Sequence, residues 1–392
     1  RNSNLYSTCR QWELAISPDP QTNLATKSGP YDSATTEAHR PGVGEPLQAR
    51  YQALADFRPW DVLPPLAKGL DPLFAWSDPR QEMTFVAQGK LRVYRHPTCD
   101  DLAAVKHWCS SQSEQILSGI PLKVGALPLF IGALPFNPNT STLNETPWLR
   151  GPARELWVPR IIWFSNAEGS GVITLDGSAP PAPPMMAREQ QLGFVRGAPP
   201  RLTDTQEERQ SWCGKVKGLL EELSRDDSAL NKVVLARQTS LQAPSGFEFD
   251  PLATVQALRV AQPSATVFWY RDGAECAFIG ATPELLIGRR GEALHTVALA
   301  GTRPRGDTLE EDRKLEETLR RSEKEQFEHQ LVVEAICEAL SDLGGDVVRE
   351  AYPHVRKLAH VQHLETEIRA HSQRDTHLLD YVHALHPTPA VG

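Results

Sequence analysis

The second half of the sequence contains two groups that could perform acid–base chemistry. Lys232 lies at the start of the apolar run NKVVLAR (231–237), and Glu284 follows a Thr-Pro turn and precedes the apolar run LLI (285–287). Desolvation lowers the pKa of a lysine so that it can act as a base, and raises the pKa of a carboxyl group so that it can donate a proton. From these residues alone, a lysine that reaches solvent and a solvated turn carboxylate remain open alternatives.

A second feature is a pair of carboxylates on a predicted helix over 309–340. Glu325 and Glu328 are three residues apart, so their side chains share one helix face, and His329 follows directly. Carboxylates on a rigid helix suit Mg²⁺, which keeps several waters and takes its other ligands from carboxylates and substrate. A solvated Glu/Lys surface stripe is the alternative that the spacing leaves open.

Two further segments could contact a carboxylate ligand through the backbone. The segment LAGTR (299–303) contains a Gly-Thr step, and the segment ALHPTPAVG (384–392) has two prolines beside small residues. Exposed N–H groups after a glycine can hold an anion, although either segment could be an ordinary turn. His363 lies within VQHL (361–364), where a hydrogen-bonded core histidine is the usual outcome.

Alternating strand and helix patterns predict the elements that must position these groups. The Val-Val-Leu core of 231–237 predicts a buried strand beginning at Lys232. Other predicted strands cover 85–87, 91–94, 129–131, 161–164, 171–175, 266–270 and 277–279. Predicted helices cover 100–117, 205–223, 252–261 and 309–340, the last as one long helix or two abutting ones. Thr205 and Glu208 have capping-box spacing. Strands in both halves with long helices between them indicate an α+β fold.

Composition excludes several classes of protein. The 392 residues are 23% charged and 40% hydrophobic, with a formal net charge of −8, which argues against a nucleic-acid surface. No apolar run reaches the roughly 18 residues that span a bilayer, so no membrane association is expected. The six cysteines form no C-x-x-C pair, which favours free thiols in a reducing compartment.

Taken together and in order, the motifs resemble one family. The runs KVVLAR, FIGATPELL, ALAGTRPRG, SEKEQFEH, VQHLET and LHPTPAVG are similar to the chorismate-utilising enzymes, which include anthranilate synthase component I. The resemblance is strong from about residue 230 to the end, weaker over 70–170, and absent over 1–50. It implies an α+β fold with a single large chorismate-binding domain, in which extended antiparallel sheets enclose the site and helices lie outside.

The resemblance also implies a division of the chain and a branch of the family. We expect an irregular segment over 1–50, the N-terminal half of the fold over 51–200, and a catalytic region over 201–392. Amine-adding members typically have glutamine at the position of Lys232, and aminodeoxychorismate synthase has a lysine at the position of Ala300. The water-adding branch, isochorismate synthase, is therefore expected: Mg²⁺-dependent isomerisation of chorismate to isochorismate for quinone (menaquinone or phylloquinone) or salicylate and siderophore pathways.

Residue roles follow from the same resemblance. Lys232 is expected to be the general base that activates water, and Glu284 the general acid that protonates the departing C4 hydroxyl. Glu328 is expected to bind Mg²⁺, with Glu325 as an outer partner. The expected substrate-binding residues are Gly301, Thr302, His363, Ala390 and Val391.

Two rival functions and several expectations complete the prediction. Salicylate synthase would use the same lysine chemistry and then eliminate pyruvate, and an inactive chorismate-binding fragment is the alternative from another class. The chain begins with Arg1 and ends at Gly392, within a motif, so we expect both termini to be incomplete and the chain as given to be inactive. We also expect a monomer without a glutamine amidotransferase subunit, in the cytoplasm or, if a transit peptide is missing, in the plastid stroma.

Overall fold

The computed structural model describes most of the chain, and the structural statements below concern that part. The described residues are 47–95, 102–116, 120, 127, 129–133, 155–184, 201–202, 205–228, 230, 232–236, 241–242, 249–273, 277–373 and 376–390. Val391 and nearly all of the segment 1–50 that was predicted to be irregular lie outside them.

The chain divides into two units. One contains residues 1–40 and 203–239, and the other contains residues 41–202 and 240–392. The described part of the first unit includes one long helix and the segment 232–236, and the second unit contains the sheets. The predicted boundaries near residues 50 and 200 stay predictions.

Fifteen strands occur among the described residues. They are β1 (Arg50–Ala53), β2 (Leu73–Asp78), β3 (Met83–Arg95), β4 (Ile131–Gly132), β5 (Glu155–Asn166), β6 (Gly169–Thr174), β7 (Arg201–Leu202), β8 (Leu241–Gln242), β9 (Thr266–Arg271), β10 (Ala277–Thr282), β11 (Gly288–Arg290), β12 (Ala293–Pro304), β13 (Val347–Arg349), β14 (His354–Lys357) and β15 (Val361–His371). All the pairs between them are antiparallel.

The described helices lie mostly between these strands. They are α1 (Leu63–Ala67), α2 (Leu102–Ile116), α3 (Gln206–Leu223), α4 (Pro251–Ala261), α5 (Leu309–Arg321), α6 (Glu323–Asp342) and α7 (Leu378–Leu385), with a 3₁₀ turn at Pro59–Val62. Within the described residues, no helix has both the length and the apolar composition needed to cross a bilayer.

A large sheet forms the apolar centre of the second unit. Among the described strands its order is β1-β6-β5-β3-β2-β9-β10, and β4 also pairs with β5. Successive residues point to opposite faces, so β5 contributes Ile162 and Phe164 to one core and Trp163 to another. The side chains of Trp157, Trp163 and Trp269 are at most 1% exposed. Burial of apolar area on both faces therefore holds this sheet in place.

A smaller sheet has two unlike faces. Its described strands have the order β11-β12-β15-β13, and β14 also pairs with β15. Leu294, Ala298, Ile368 and Ala370 pack against α6 and α7 in a third core. The alternate positions of β15 carry polar and charged side chains, including His363, Glu365 and Glu367, on the opposite face.

Most of the sequence-based elements are confirmed, and one is wrong. The α+β class, the antiparallel sheets and the capping box at the start of α3 agree with the predictions. Of the two alternatives predicted for 309–340, two abutting helices are confirmed, because Ser322 caps the second one by accepting a hydrogen bond from Glu325 N at 3.4 Å. The predicted buried strand at Lys232 is wrong: residues 232–236 form no strand among the described residues, and Val234 and Leu235 are each 39% exposed. β-Branched apolar residues favour a strand only where a partner strand and a covering layer are available.

Candidate active site

Gly301 forms a bulge in β12 next to helix α6. The register between β12 and β15 shifts between Ala300 and Thr302, and Gly301 has a φ of 76°, which glycine adopts without steric cost. A Cβ atom at this position would lie 3.3 Å from both Cβ and the backbone oxygen of Glu325. The glycine therefore provides the backbone conformation and the close approach of β12 to the helix.

Glu325 fastens this bulge to the first turn of α6. Its Oε2 accepts a hydrogen bond from Thr302 N at 3.1 Å, and its Oε1 accepts one from Arg303 Nη1 at 2.6 Å. Its side chain is only 7% exposed. The solvated-stripe alternative is thus wrong for Glu325, whose carboxylate is occupied in holding the Gly-Thr segment.

Glu328 lies one helical turn further along α6 and is less constrained. Its side chain is 31% exposed, and the Nζ atom of the exposed Lys324 lies 3.4 Å from its Oε1. An exposed pair of this kind is worth little free energy, so the carboxylate can exchange it for another partner. Within the part of the chain that the structure describes, no group of three or more His, Cys, Asp or Glu side chains could hold a metal ion. That Glu328 holds Mg²⁺, with water and substrate as the other ligands, therefore stays a prediction.

Thr302 and His363 form a polar pair across β12 and β15. The two residues are directly opposite in the sheet, and Thr302 Oγ1 lies 3.0 Å from His363 Nδ1. Burial lowers the pKa of His363, which favours the neutral imidazole near pH 7. Ala390 packs against the third core, as does Ala300, the residue before the bulge. The structure thus brings the Gly-Thr step and His363 together beside the first turns of α6.

Glu284 lies directly after β10, where the large sheet ends. Its backbone N–H donates to Thr282 Oγ1 at 3.1 Å, which closes the Thr-Pro-Glu turn. Burial raises the pKa of its carboxyl group, because the surroundings disfavour the charged form. Within the described residues, no ion pair involves this carboxyl. It therefore has the electrostatic character expected of a proton donor.

Lys232 lies in the other unit, in a segment that has neither helix nor strand. Its side chain is half-buried. The role of Lys232 therefore stays a prediction that rests on the sequence motif.

Two features of this region depend on contacts that the sequence does not predict. His329 is 3% exposed, its Nε2 lies 2.7 Å from Thr366 Oγ1, and burial lowers its pKa to about 4. The second feature is a charged cluster around Glu365 on β15, which Arg356 and Arg80 both contact. The alternation of polar and apolar residues in VQHLETEI predicts a two-faced strand, but it does not identify the partners of Glu365.

Comparison with known proteins identifies the family. A sequence model described as "Chorismate binding enzyme" matches residues 44–392. The chain belongs to this family. The resemblance inferred from the motifs is confirmed.

Several relatives match this chain over about half of its length. A protein named salicylate biosynthesis isochorismate synthase, from Pseudomonas aeruginosa, is 42% identical over 207 residues, which are 53% of this chain and 42% of that protein. Isochorismate synthase 2, chloroplastic, from Arabidopsis thaliana is 37% identical over 176 residues, which are 45% of this chain and 31% of that protein. The chain thus spans less than half the length of these relatives.

A solved structure has the same fold. The menaquinone-specific isochorismate synthase MenF from Escherichia coli matches with a TM-score of 0.62 and 22% identity, covering 88% of this chain and 74% of that one. At this identity the likeness shows the fold alone, and it confirms the predicted fold class.

Proposed function

We propose that the protein is an isochorismate synthase. The observation that carries this proposal is the placement of the family motifs: the Gly301–Thr302 bulge, His363 and the half-buried Glu328 lie around one end of α6, and Glu284 has a carboxyl whose burial favours the protonated form. The isochorismate synthase names of the relatives from P. aeruginosa and A. thaliana support the same activity. By resemblance to the family's branches, Lys232 together with alanine at position 300 favours water over an amine as the nucleophile.

In the proposed reaction, water attacks C2 of the chorismate ring while neutral Lys232 takes its proton. The ring double bonds shift, and the C4–O bond breaks with its electron pair on oxygen. Glu284 protonates the departing hydroxyl, which leaves as water. The product is an isomer of the substrate, so no oxidant is needed, and the proton returns from Lys232 to Glu284 through solvent. Each positioned acid or base contributes roughly 10²–10⁴-fold.

The substrate carboxylates need partners in this site. Thr302 and His363 offer a hydroxyl and an imidazole, and Ala390 and Val391 are proposed to line the ring. Glu328 would hold Mg²⁺, which when bound supplies positive charge to the ring carboxylate. Chorismate as substrate and Mg²⁺ as cofactor are proposals for this chain. A monomeric state in the cytoplasm or plastid stroma also stays a prediction, although the A. thaliana relative is named as chloroplastic.

The proposed function is tested by substituting Lys232, the proposed base. In the full-length protein, Lys232→Gln should lower the rate of isochorismate formation from chorismate by at least about a hundredfold, because the neutral amide of glutamine cannot take up the proton. Lys215→Gln, an exposed lysine of α3 in the same unit, is the matched control and should keep full activity. A Lys232→Gln protein with more than about a tenth of the wild-type turnover would contradict the proposal. Release of pyruvate by the wild-type protein would instead indicate a salicylate synthase.

A further inference from the structure

The segment that carries Glu284 is fastened by side chains of the small sheet. Pro283 O accepts a hydrogen bond from Arg356 Nη1 at 3.3 Å. On the other side of Glu284, Thr296 Oγ1 lies 3.0 Å from Leu285 O and 2.7 Å from Leu286 O. Residues 283–287 belong to no strand, so these contacts, with the Thr282 turn, are the described bonds that fix this segment.

Arg356 is itself held rigidly. Its side chain is 11% exposed, its Nη1 also donates to Glu365 Oε2 at 2.9 Å, and its Nη2 donates to Ser264 O at 2.6 Å. Glu365 is anchored in turn by Arg80 and by His354 Nε2 at 3.3 Å. A guanidinium presents several donors in a planar fork, which a lysine cannot reproduce. Arg356 therefore ties the Glu284 turn, the loop before β9 and strand β15 to one point.

The register of the small sheet connects this point to the candidate substrate contacts. Arg356 lies opposite His363 in the β14–β15 pair, and His363 lies opposite Thr302 in the β12–β15 pair. Thr296 lies on β12, the strand that carries Gly301 and Thr302. Thr296 thus projects from a strand that carries candidate substrate contacts, and Arg356 projects from β14, which pairs with β15, the strand of His363.

We propose that Arg356 and Thr296 are positioning residues that form a clamp on the Glu284 segment and set the distance between this acid and the Thr302–His363 pair. The inference rests on the proposed role of Glu284 as general acid. The two residues act through the backbone on either side of Glu284 and do not touch substrate. A displacement of about 1 Å in a catalytic group can cost about a hundredfold in rate.

Four variants of the full-length protein test the clamp: Arg356→Lys, Thr296→Val, Glu284→Gln and the double variant Arg356→Lys/Glu284→Gln. Arg356→Lys should lower kcat about ten- to a hundredfold while KM for chorismate changes less than about threefold. It should also move the alkaline limb of the kcat–pH profile to lower pH, because a loosened turn admits water to the Glu284 carboxyl. Thr296→Val, which removes the hydroxyl and keeps the shape, should change kcat and the pH profile in the same direction.

The double variant separates positioning from general structural damage. In the Glu284→Gln background, Arg356→Lys should lower kcat less than about twofold further, because the clamp acts only through the acid. Arg289→Lys is the matched control: Arg289 also donates to a backbone carbonyl, Thr376 O, from the small sheet, and its substitution should leave kcat and the pH profile unchanged.

The outcomes distinguish the two proposals. If Glu284→Gln keeps wild-type kcat, the role of Glu284 in the proposed function fails. If Glu284→Gln is impaired but Arg356→Lys and Thr296→Val keep wild-type kcat and pH profiles, the clamp is overturned and the acid stands. Should Arg356→Lys fail to fold, as judged by circular dichroism, the isosteric Thr296→Val decides the question alone.

Discussion

The two sheets of the second unit are stabilised by different interactions. The large sheet has apolar and aromatic side chains on both faces, and three tryptophans of β5 and β9 are almost completely buried there. The small sheet has one apolar face against α6 and α7 and one face of paired charges around Glu365. Nearly all the candidate site residues of this unit lie on the small sheet or beside it. From this comparison we predict that stability depends mainly on the large sheet and reactivity on the small one.

The largest expected effect concerns stability alone. Ile162→Ala in the large sheet removes a side chain with no exposed surface and should lower the free energy of unfolding by about 2–5 kcal/mol. Urea unfolding measures this change, and kcat of the folded protein should stay within about twofold of wild type. The control is Val260→Ala on α4, a residue that is 84% exposed. A large fall in kcat for Ile162→Ala, measured where the protein is fully folded, would remove the distinction between the sheets.

The next effect contrasts two glutamates one helical turn apart. Glu325→Gln weakens the charged hydrogen bonds to Thr302 N and Arg303 and should cost about 1.5–3 kcal/mol of stability. Glu328→Gln breaks only an exposed pair and should cost less than about 0.5 kcal/mol. By contrast, Glu328→Gln should weaken Mg²⁺ binding in the presence of chorismate, which calorimetry measures. It should also raise the Mg²⁺ concentration needed for activity.

Glu338→Gln on the exposed face of α6 is the control for both measurements. If Glu328→Gln leaves Mg²⁺ binding and the Mg²⁺ requirement unchanged, then Glu328 belongs to a solvated stripe and the metal assignment fails. If Glu325→Gln is as stable as Glu328→Gln, the bulge does not depend on its carboxylate.

The smallest effect is a pH-dependent gain in stability. Burial raises the pKa of Glu284 above its ordinary value of 4.5, so this carboxyl costs stability where it is ionised, at pH above its native pKa. Glu284→Gln should therefore gain stability relative to wild type as pH rises through that pKa, and the difference should be constant below pH 4.5. Thermal unfolding between pH 4 and 9, with Glu338→Gln as baseline, measures it. A difference that does not vary with pH would show that the carboxyl is well solvated.

The sequence predicted the elements better than the contacts between them. Helix periodicity located α2 and α3 to within a few residues, because an amphipathic face repeats along a single segment. The strand at Lys232 failed because a ladder requires a partner from elsewhere in the chain, and hydrophobicity does not encode one. The sequence also could not separate Glu325 from Glu328, since their different surroundings depend on how closely the bulge at Gly301 approaches α6.

Contacts between residues that are far apart in the sequence also limit what the sequence can predict. The Gly-Thr step and His363 were identified as candidates from motifs, but their direct pairing follows from the register of β12 and β15. No structural role was predicted for Arg356 or Glu365, because a charged residue on a strand is ordinarily a solvated surface group. Their importance arises only when Pro283, from a distant turn, is placed beside them.

The distribution of tryptophan along the chain has a consequence for spectroscopy. All nine tryptophans precede residue 270, so β10 to β15 and α5 to α7 contain none. Intrinsic emission on excitation at long ultraviolet wavelengths therefore arises outside the elements that carry Thr302 and His363. Phe327, which is 57% exposed and precedes Glu328, is a suitable position for an added indole. With that fluorophore, binding of a ligand near Thr302 and His363 can be followed by fluorescence emission.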